Sequence, residues 1–329
     1  MLYVTTRNKF DTYTVHFANQ SDRGPDGGLY LPFRMPSVCR EDLLAMKQIT
    51  FGQRVAQMLN LFFSTQLTGW DVDLSVGKNP VKVSMMNQRI AVAEEWHNHL
   101  QNFEHLENTL ASRIYAQETD RKPTSWMRIA IRIAVLFAIC VDLIAADGNQ
   151  PLDVAVPSSD FILPMAVWYA RKMGLPIGTI ICSHDNSSVW DLIHHGEVRT
   201  DLQLPENLER LVCATLGVEE NLRFCDICST GRPYTILNPK LELLRSGMYA
   251  TIISADRLQA LIPSVYRTTQ YIFDPQTAMA FAGLQDYRAK TGENRLALLL
   301  AEKSPALYSK QTAAMMDISE QELLRQLGE

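Results

Sequence analysis

The 329-residue sequence lacks an excess of positive charge. It contains 31 Lys and Arg residues against 36 Asp and Glu residues, for a formal net charge of −5. Nucleic acids and anionic membrane surfaces attract proteins that carry basic patches, and no basic run occurs in this chain. The charge balance therefore predicts that no nucleic acid and no membrane is a partner.

A long uninterrupted apolar run is also missing. The longest apolar stretch, residues 129–146, contains Arg132 and Asp142, whereas a membrane-spanning helix needs about 20 consecutive apolar residues. We interpret this stretch as a buried helix of a globular protein. The first residues resemble a strand and carry no apolar signal segment, so we expect a cytoplasmic location with reduced thiols.

The six cysteines form no metal-binding or disulfide framework. Cys225 and Cys228 make a single C-x-x-C pair, and a zinc ribbon needs a second pair. We therefore predict two separate thiols at these positions.

Strands and helices alternate in the second half of the chain. A parallel sheet flanked by helices is the fold class that this alternation favours. Helical spacing of apolar residues predicts further helices within 40–66, at 104–115 and at 123–146, and residues 68–90 are expected to form strand and loop. The alternating segments are strands at 154–157, 179–182, 249–253 and 296–300, and helices at 162–173, 187–195, 256–262 and 277–291.

Residues 94–105, EEWHNHLQNFEH, resemble the active-site segment of threonine synthases, L-E-x-F-H-G-P-T-x-x-F-K-D. Glu94, His97 and Phe103 fall on the Glu, the His and the second Phe of that motif, and Trp96 replaces its first Phe. Further segments resemble the family as well, and all of them occur in the family's order along the chain. They lie at residues 5–7, 25–32, 125–128, 154–177 and 274–278.

The resemblance implies the α/β fold of fold-type II PLP enzymes, which is similar to that of the tryptophan synthase β subunit. It divides the chain into an N-terminal region at 1–92, a remnant of the active-site segment and small domain at 93–125, and a large α/β domain at 126–329. The segment after residue 105 is short, and the resemblance implies that about a hundred residues of a small mobile domain are missing.

Four features depart from the family's pattern: the missing small domain and three altered sites, at Glu104, at residues 157–163 and around Glu302. Glu104 stands where the family has the lysine that holds pyridoxal phosphate (PLP), and a carboxylate cannot form an imine. The family's phosphate loop, P-S-G-N-F-G-N, becomes PSSDFIL at residues 157–163. In that loop Ser158 and Ser159 precede Asp160, which is predicted to cap the next helix and to repel a phosphate. Glu302 lies in the segment that contacts the pyridine ring, and Arg128 remains from the substrate-phosphate motif.

These losses predict a pseudoenzyme that has no PLP and acts as a scaffold, a regulatory protein or a partner-binding protein. The expected partner is another protein or a second copy. Packing in the local core is the favoured interpretation of Trp96, Phe103 and Trp126, and a role as interface anchors is the alternative. Two alternatives remain. One is an enzyme of changed chemistry that binds PLP or phosphohomoserine noncovalently or uses a divalent metal, and the other is a small-ligand sensor. The metal alternative has the ligands His97, His99, Glu104 and His105, with the two first histidines on one face of a strand.

Overall fold

The computed structural model describes residues 1–115, 122–144, 150–185, 187–198 and 204–328. The N-terminal part begins with a small antiparallel sheet of order β2-β1-β3. Its strands are β1 (Leu2–Thr5), β2 (Tyr13–Thr14) and β3 (Tyr30–Pro32), with helix α1 (Val15–Ala18) after β2. Helices α2 (Arg40–Met46), α3 (Phe51–Phe63) and α4 (Gly69–Val76) follow.

The expectation of only strand and loop over 68–90 is wrong at its start, where α4 lies. A capping box begins this helix. The Thr68 hydroxyl accepts from the Asp71 backbone N–H, and the Asp71 carboxylate accepts from the Thr68 N–H. Reciprocal bonds of this kind satisfy two backbone donors that a helix end leaves open, so the cap outweighs the weak apolar periodicity of the segment.

A six-stranded sheet of order β10-β7-β6-β11-β5-β4 forms the centre of the protein. All adjacent pairs are parallel except β4 and β5, which confirms the predicted parallel-rich sheet. The strands are β4 (Lys82–Asn87), β5 (Ile90–Glu94), β6 (Leu152–Pro157), β7 (Ile177–His184), β10 (Met248–Ile252) and β11 (Ala297–Ala301).

Helices cover the sheet, and a two-stranded pair, β8 (Glu197–Val198) with β9 (Tyr234–Thr235), lies apart from it. The predicted helix at 256–262 begins one residue earlier, at Ala255, where Ser254 caps it. It continues past Pro263 to Thr269, and Val265 is buried in this extension. The helices are α5 (Phe103–Tyr115), α6 (Ser125–Leu143), α7 (Ile162–Met173), α8 (Ser188–His195), α9 (Leu208–Leu216), α10 (Val218–Ser229), α11 (Lys240–Arg245), α12 (Ala255–Thr269), α13 (Pro275–Thr291), α14 (Ser309–Met316) and α15 (Glu320–Leu327), with a 3₁₀ turn at Pro305–Tyr308.

Helix α6 is the predicted buried helix, and nearly all of its residues are inaccessible to solvent. Thr124 caps it by accepting from the Met127 N–H at 3.3 Å. The predicted helix end at 145–146 and residues 116–121 of the remnant segment lie outside the described residues. Across the described ranges, no helix is long and apolar enough to cross a membrane.

Two of the three aromatic residues that border the shortened segment, Phe103 and Trp126, pack in the core, as the favoured interpretation predicts. Trp126 is 1% exposed and packs edge-on against Tyr3, Phe62 and Tyr169, with ring centroids 5.6 to 6.2 Å apart. Phe103 is equally buried. Each large side chain gains more free energy inside the core than on a surface.

Candidate functional site

The resemblance-derived residues gather at the carboxyl ends of strands β5, β6 and β11. Three backbone hydrogen bonds join the segments that leave β5 and β11. The Glu95 N–H donates to the Ala301 carbonyl at 2.8 Å, the Phe103 N–H donates to the Glu302 carbonyl at 2.7 Å, and the Ser304 N–H donates to the Gln101 carbonyl at 2.9 Å. Parallel strands end at one edge of the sheet, where α/β proteins commonly bind ligands. The start of α5 is thereby held beside the segment that follows β11.

A cavity of about 250 Å³ lies at this edge. Most of the predicted site residues line it together, whereas Glu94, His97 and Ser158 do not. The lining consists of Phe103, Glu104, Arg128, Arg132, Pro157, Ser159, Asp160, Leu163, Asp274, Gln276, Leu300, Glu302 and Lys303. We call this cavity the first cavity.

Two arginines of α6 share one buried carboxylate beside the first cavity. Glu107 of α5 is 1% exposed and accepts from Arg128 Nε at 2.9 Å and from Arg132 Nε at 3.1 Å. Residues four apart lie on one face of a helix, so α6 presents both guanidinium groups to α5. Arg128 also reaches Asp160, with Nη1 3.4 Å from Oδ2.

Arg132 connects helix α6 to the two segments that carry Glu302 and Phe103. Its guanidinium forms an ion pair with Glu302 and lies 4.4 Å from the centroid of the Phe103 ring. The sequence reasoning missed Arg132 as a site residue. A signal was present, because a charged side chain in an otherwise apolar buried helix must find a partner of opposite charge.

Glu95 is a second buried carboxylate in this region. Only 2% of the residue is exposed, and its Oε2 has no hydrogen-bond partner in the protein. Burial raises the pKa of Glu95 to about 8, against an opposing effect of Arg132 and with a further increase from Glu107. Glu95 is therefore protonated in the folded protein at neutral pH.

His97 and His99 do not lie on a strand, contrary to the expectation, because the chain turns after β5 ends at Glu94. His97 Nε2 is 2.8 Å from Glu94 Oε2, and the Tyr271 hydroxyl donates to Glu94 Oε1 at 3.0 Å. These bonds hold His97 against Glu94.

The other histidine of the predicted cluster, His105, packs against His99 with ring centroids 4.1 Å apart. The cluster is therefore divided into two separate pairs. Throughout the described part of the chain, no three His, Cys, Asp or Glu side chains are grouped so that they could hold a metal ion. The geometry does not support the metal alternative.

The segment that follows β6 departs from the predicted helix cap. The N-cap of α7 is Phe161, with φ 59°, and Asp160 lies one residue earlier. The Asp160 carboxylate still accepts from the Ile162 N–H, at 3.0 Å. It therefore bonds the first N–H group of α7 although it is not the N-cap residue. Ser158 is buried, and its hydroxyl donates to the Ser183 carbonyl at 3.0 Å.

A second cavity, of about 620 Å³, shares Arg128, Ser159 and Asp160 with the first. Its remaining lining comes from the N-terminal region, the start of α6, the end of β7 and the segment before α9. These residues are Asp22, Pro123, Ser125, Ile162, His184, Asp185, Leu204, Pro205, Glu206 and Asn207.

Similarity to known proteins agrees with this fold. Residues 2–77 match a family model described as the threonine synthase N terminus. A human protein, threonine synthase-like 1, is 26% identical over 211 residues, which cover 58% of this chain and 28% of the relative. The chain thus spans less than a third of the length of this relative.

Two solved structures show the same architecture over nearly the whole chain. PLP-bound threonine synthase from Brucella melitensis superimposes with a TM-score of 0.84 at 19% identity, covering 97% of this chain and 92% of the other. Threonine synthase from yeast gives a TM-score of 0.80 at 15% identity, with coverages of 99% and 94%. These likenesses establish the fold of fold-type II PLP enzymes. Together with the N-terminal family match and the human relative, they show that the chain is similar to threonine synthases and threonine synthase-like proteins.

Proposed function

We propose that the chain is a non-catalytic member of this family that has lost PLP chemistry and acts by binding, as a scaffold, a regulator or a partner-binding protein. The observation that supports this most is Glu104 in the lining of the first cavity. The position corresponds to the family's PLP lysine, and a carboxylate has no amine with which to form an imine. The further losses implied by the sequence, of the phosphate loop and the small mobile domain, are part of the same proposal.

The charges around the first cavity also fit PLP poorly. Asp160 accepts from the first free N–H group of α7, and its carboxylate would repel a phosphate dianion there. Glu302 is paired with Arg132 instead of being available to a ring nitrogen. The cavity of about 250 Å³ is smaller than the ~300–1,000 Å³ of common ligand pockets.

Lys303 gives the alternative of changed chemistry a specific test. It is the lysine among the described residues that line the first cavity. Its Nζ lies 3.3 Å from the Tyr308 hydroxyl, and its side chain is exposed. An amine at this place is the one group of the cavity that could form an imine with a carbonyl compound.

Absorbance spectroscopy after addition of PLP, followed by borohydride reduction and mass spectrometry, tests both possibilities. The proposal expects no imine band, no covalent adduct and no threonine from phosphohomoserine in the wild-type protein. Glu104→Lys is expected to remain inactive because the phosphate loop is still changed. An adduct that disappears in Lys303→Gln would favour changed chemistry, and threonine formation by the wild-type protein would end the proposal.

Thermal unfolding with phosphohomoserine, threonine or PLP separates a small-ligand sensor from a scaffold. A ligand present at a hundred times its Kd stabilises the folded state by about 2.7 kcal/mol, which shifts the transition clearly. A scaffold is expected to show no shift with any of the three compounds.

Analytical ultracentrifugation tests association with a second copy. An exposed apolar patch at α4 motivates this test: Trp70 is 53% exposed and Leu74, one turn later, is 60% exposed. If this patch is the contact, a dimer of the wild-type protein should become a monomer in Trp70→Ser.

A further inference from the structure

The turn between strands β1 and β2 presents a phenylalanine almost entirely to solvent. Phe10 is 97% exposed, although a phenyl ring gains free energy whenever another surface removes it from water. The turn belongs to the part of the chain between β1, which ends at Thr5, and β2, which begins at Tyr13. Phe10 is therefore an apolar side chain that the protein itself does not cover.

Hydrogen bonds from one side chain hold this turn in a defined conformation. Asn8 Oδ1 accepts from the Phe10 backbone N–H at 2.8 Å, and Asn8 Nδ2 donates to the Asp11 carboxylate at 2.7 Å. The Asn8 N–H in turn donates to the Thr5 hydroxyl at 3.0 Å. A side chain on a turn that is already ordered loses less conformational freedom when it enters an interface.

An open cleft of about 700 Å³ lies beside the turn. The turn residues form one wall, and Val218 and Leu222 of helix α10 form the other. These two residues are four apart and therefore lie on one face of the helix. Leu222 is 45% exposed, so the wall of α10 offers apolar surface that has no cover.

The charged groups in the floor of the cleft have partners within the protein. Arg7 Nε lies 3.1 Å from Glu209 Oε1. The Asp26 carboxylate accepts from the Thr5 hydroxyl and from the Gly28 N–H. Since these charges are already satisfied, the cleft is suited to an apolar group and not to an ionic ligand.

The projecting ring and the apolar cleft lie next to each other on one surface. In a two-fold symmetric pair of identical chains, every contact between residue i of one copy and residue j of the other occurs twice. A single two-fold arrangement can therefore place Phe10 of each copy in the cleft of the other. Aromatic side chains in such pockets commonly dominate the energy of an interface.

The charges next to the ring and the cleft are complementary. Lys9 precedes Phe10, and Glu219 follows Val218; both are exposed. When Phe10 of one copy lies against Val218 of the other, Lys9 comes close to Glu219 of that copy. Opposite charges across an interface favour the correct partner, so this surface suits a second copy of the chain.

We propose that two copies of the chain associate through this surface, with Phe10 of each copy in the cleft of the other and Lys9 facing Glu219. The proposal rests on the partner-binding role in the proposed function and names the partner as a second copy.

Analytical ultracentrifugation of the full chain over a concentration series tests the contact. The wild-type protein should form a dimer. Phe10→Ser should raise the dimer dissociation constant by at least about a hundredfold, because the contact occurs twice and each buried Phe side chain contributes about tenfold or more. Leu222→Ser should also weaken the dimer. Leu237→Ser, which changes an apolar residue that is 73% exposed outside the cleft, is the matched control and should leave the dimer unchanged.

A charge exchange tests the orientation of the two copies. Lys9→Glu and Glu219→Lys should each raise the dissociation constant by at least about threefold, because like charges then meet twice. The double variant should regain the affinity of the wild-type protein, a recovery that misfolding cannot produce. Failure of the double variant to recover would refute the orientation.

The outcomes separate this proposal from the proposed function. A monomeric wild-type protein, or a dimer that persists in Phe10→Ser and dissociates in Trp70→Ser, would overturn the contact proposed here. Either result leaves the loss of PLP chemistry standing, because that loss is tested by absorbance and adduct formation. Threonine formation would end the proposed function whether or not the dimer forms.

Discussion

Replacing Glu107 by glutamine removes the negative charge that the two arginines of α6 share. Glu107 is 1% exposed and Arg132 is 7% exposed at its side chain, so neither regains water when the pair is broken. Breaking a buried ion pair from one side costs about 3–5 kcal/mol, and the remaining ion pair of Arg132 with Glu302 keeps the loss at the lower end of this range. Arg128 is 31% exposed, and solvent screening limits its part of the loss to about 1 kcal/mol or less. We therefore expect Glu107→Gln to lower the free energy of unfolding by about 3 kcal/mol or slightly more.

Urea unfolding followed by circular dichroism measures this loss. Glu104→Gln is the matched control, because it makes the same chemical change in the same helix at an exposed position. A surface substitution of this kind changes stability by about 0.5 kcal/mol or less. Comparing the two losses of stability separates the effect of the burial of Glu107 from the effect of changing glutamate to glutamine.

A double-mutant cycle with Arg132→Met identifies the partner. If the pair is the origin of the loss, Glu107→Gln should cost at least about 1.5 kcal/mol less when Arg132 is already methionine. Equal, small effects of Glu107→Gln and Glu104→Gln, or additive losses in the cycle, would refute the assignment of a stabilising buried pair.

Three further measurements follow from the described residues. Burial raises the pKa of Glu95 from 4.5 to about 8, so between these pH values the folded protein holds a proton that the unfolded chain releases. The free energy of unfolding should therefore fall as the pH rises from 4.5 to about 8. Glu95→Gln should flatten this dependence, and an equally steep profile in the variant would contradict the prediction. Gly174 has φ 118° and a Cβ there would meet the Val38 carbonyl, so Gly174→Ala should destabilise by at least about 1 kcal/mol in the same urea assay. A thiol reagent should modify exposed Cys39 in the folded protein but buried Cys140 only after unfolding, as peptide mass mapping can verify. Rapid modification of Cys140 in the folded protein would contradict its burial in the core.

Sequence reasoning predicted much of the first cavity. Phe103, Glu104, Asp160 and Glu302 are far apart in the chain, yet all four line it. The order of motifs along the chain made this possible, because the resemblance assigned each motif to the surroundings of the same cofactor. The alternation of strands and helices independently predicted a parallel sheet, on which such segments meet at the carboxyl ends.

The same reasoning did not find the contacts between side chains. Glu94 is bonded by Tyr271, 177 residues away, and no local pattern specifies that pairing. The two histidines after β5 were expected on a strand, but β5 ends at Glu94 and neither histidine lies on a strand. Local spacing predicts a shared face only while the backbone remains regular.

The sequence by itself predicted the α/β order of elements, and through the resemblance it assigned Glu104 to the position of the family's PLP lysine. Those properties depend on residue identity and on short-range periodicity. The tertiary structure alone decided that Arg132 and Glu107 form a buried pair, that Glu95 holds a raised pKa and that carboxylates line the second cavity. Burial and opposing charge are set by segments distant in sequence, and they appear only when the helices pack on the sheet.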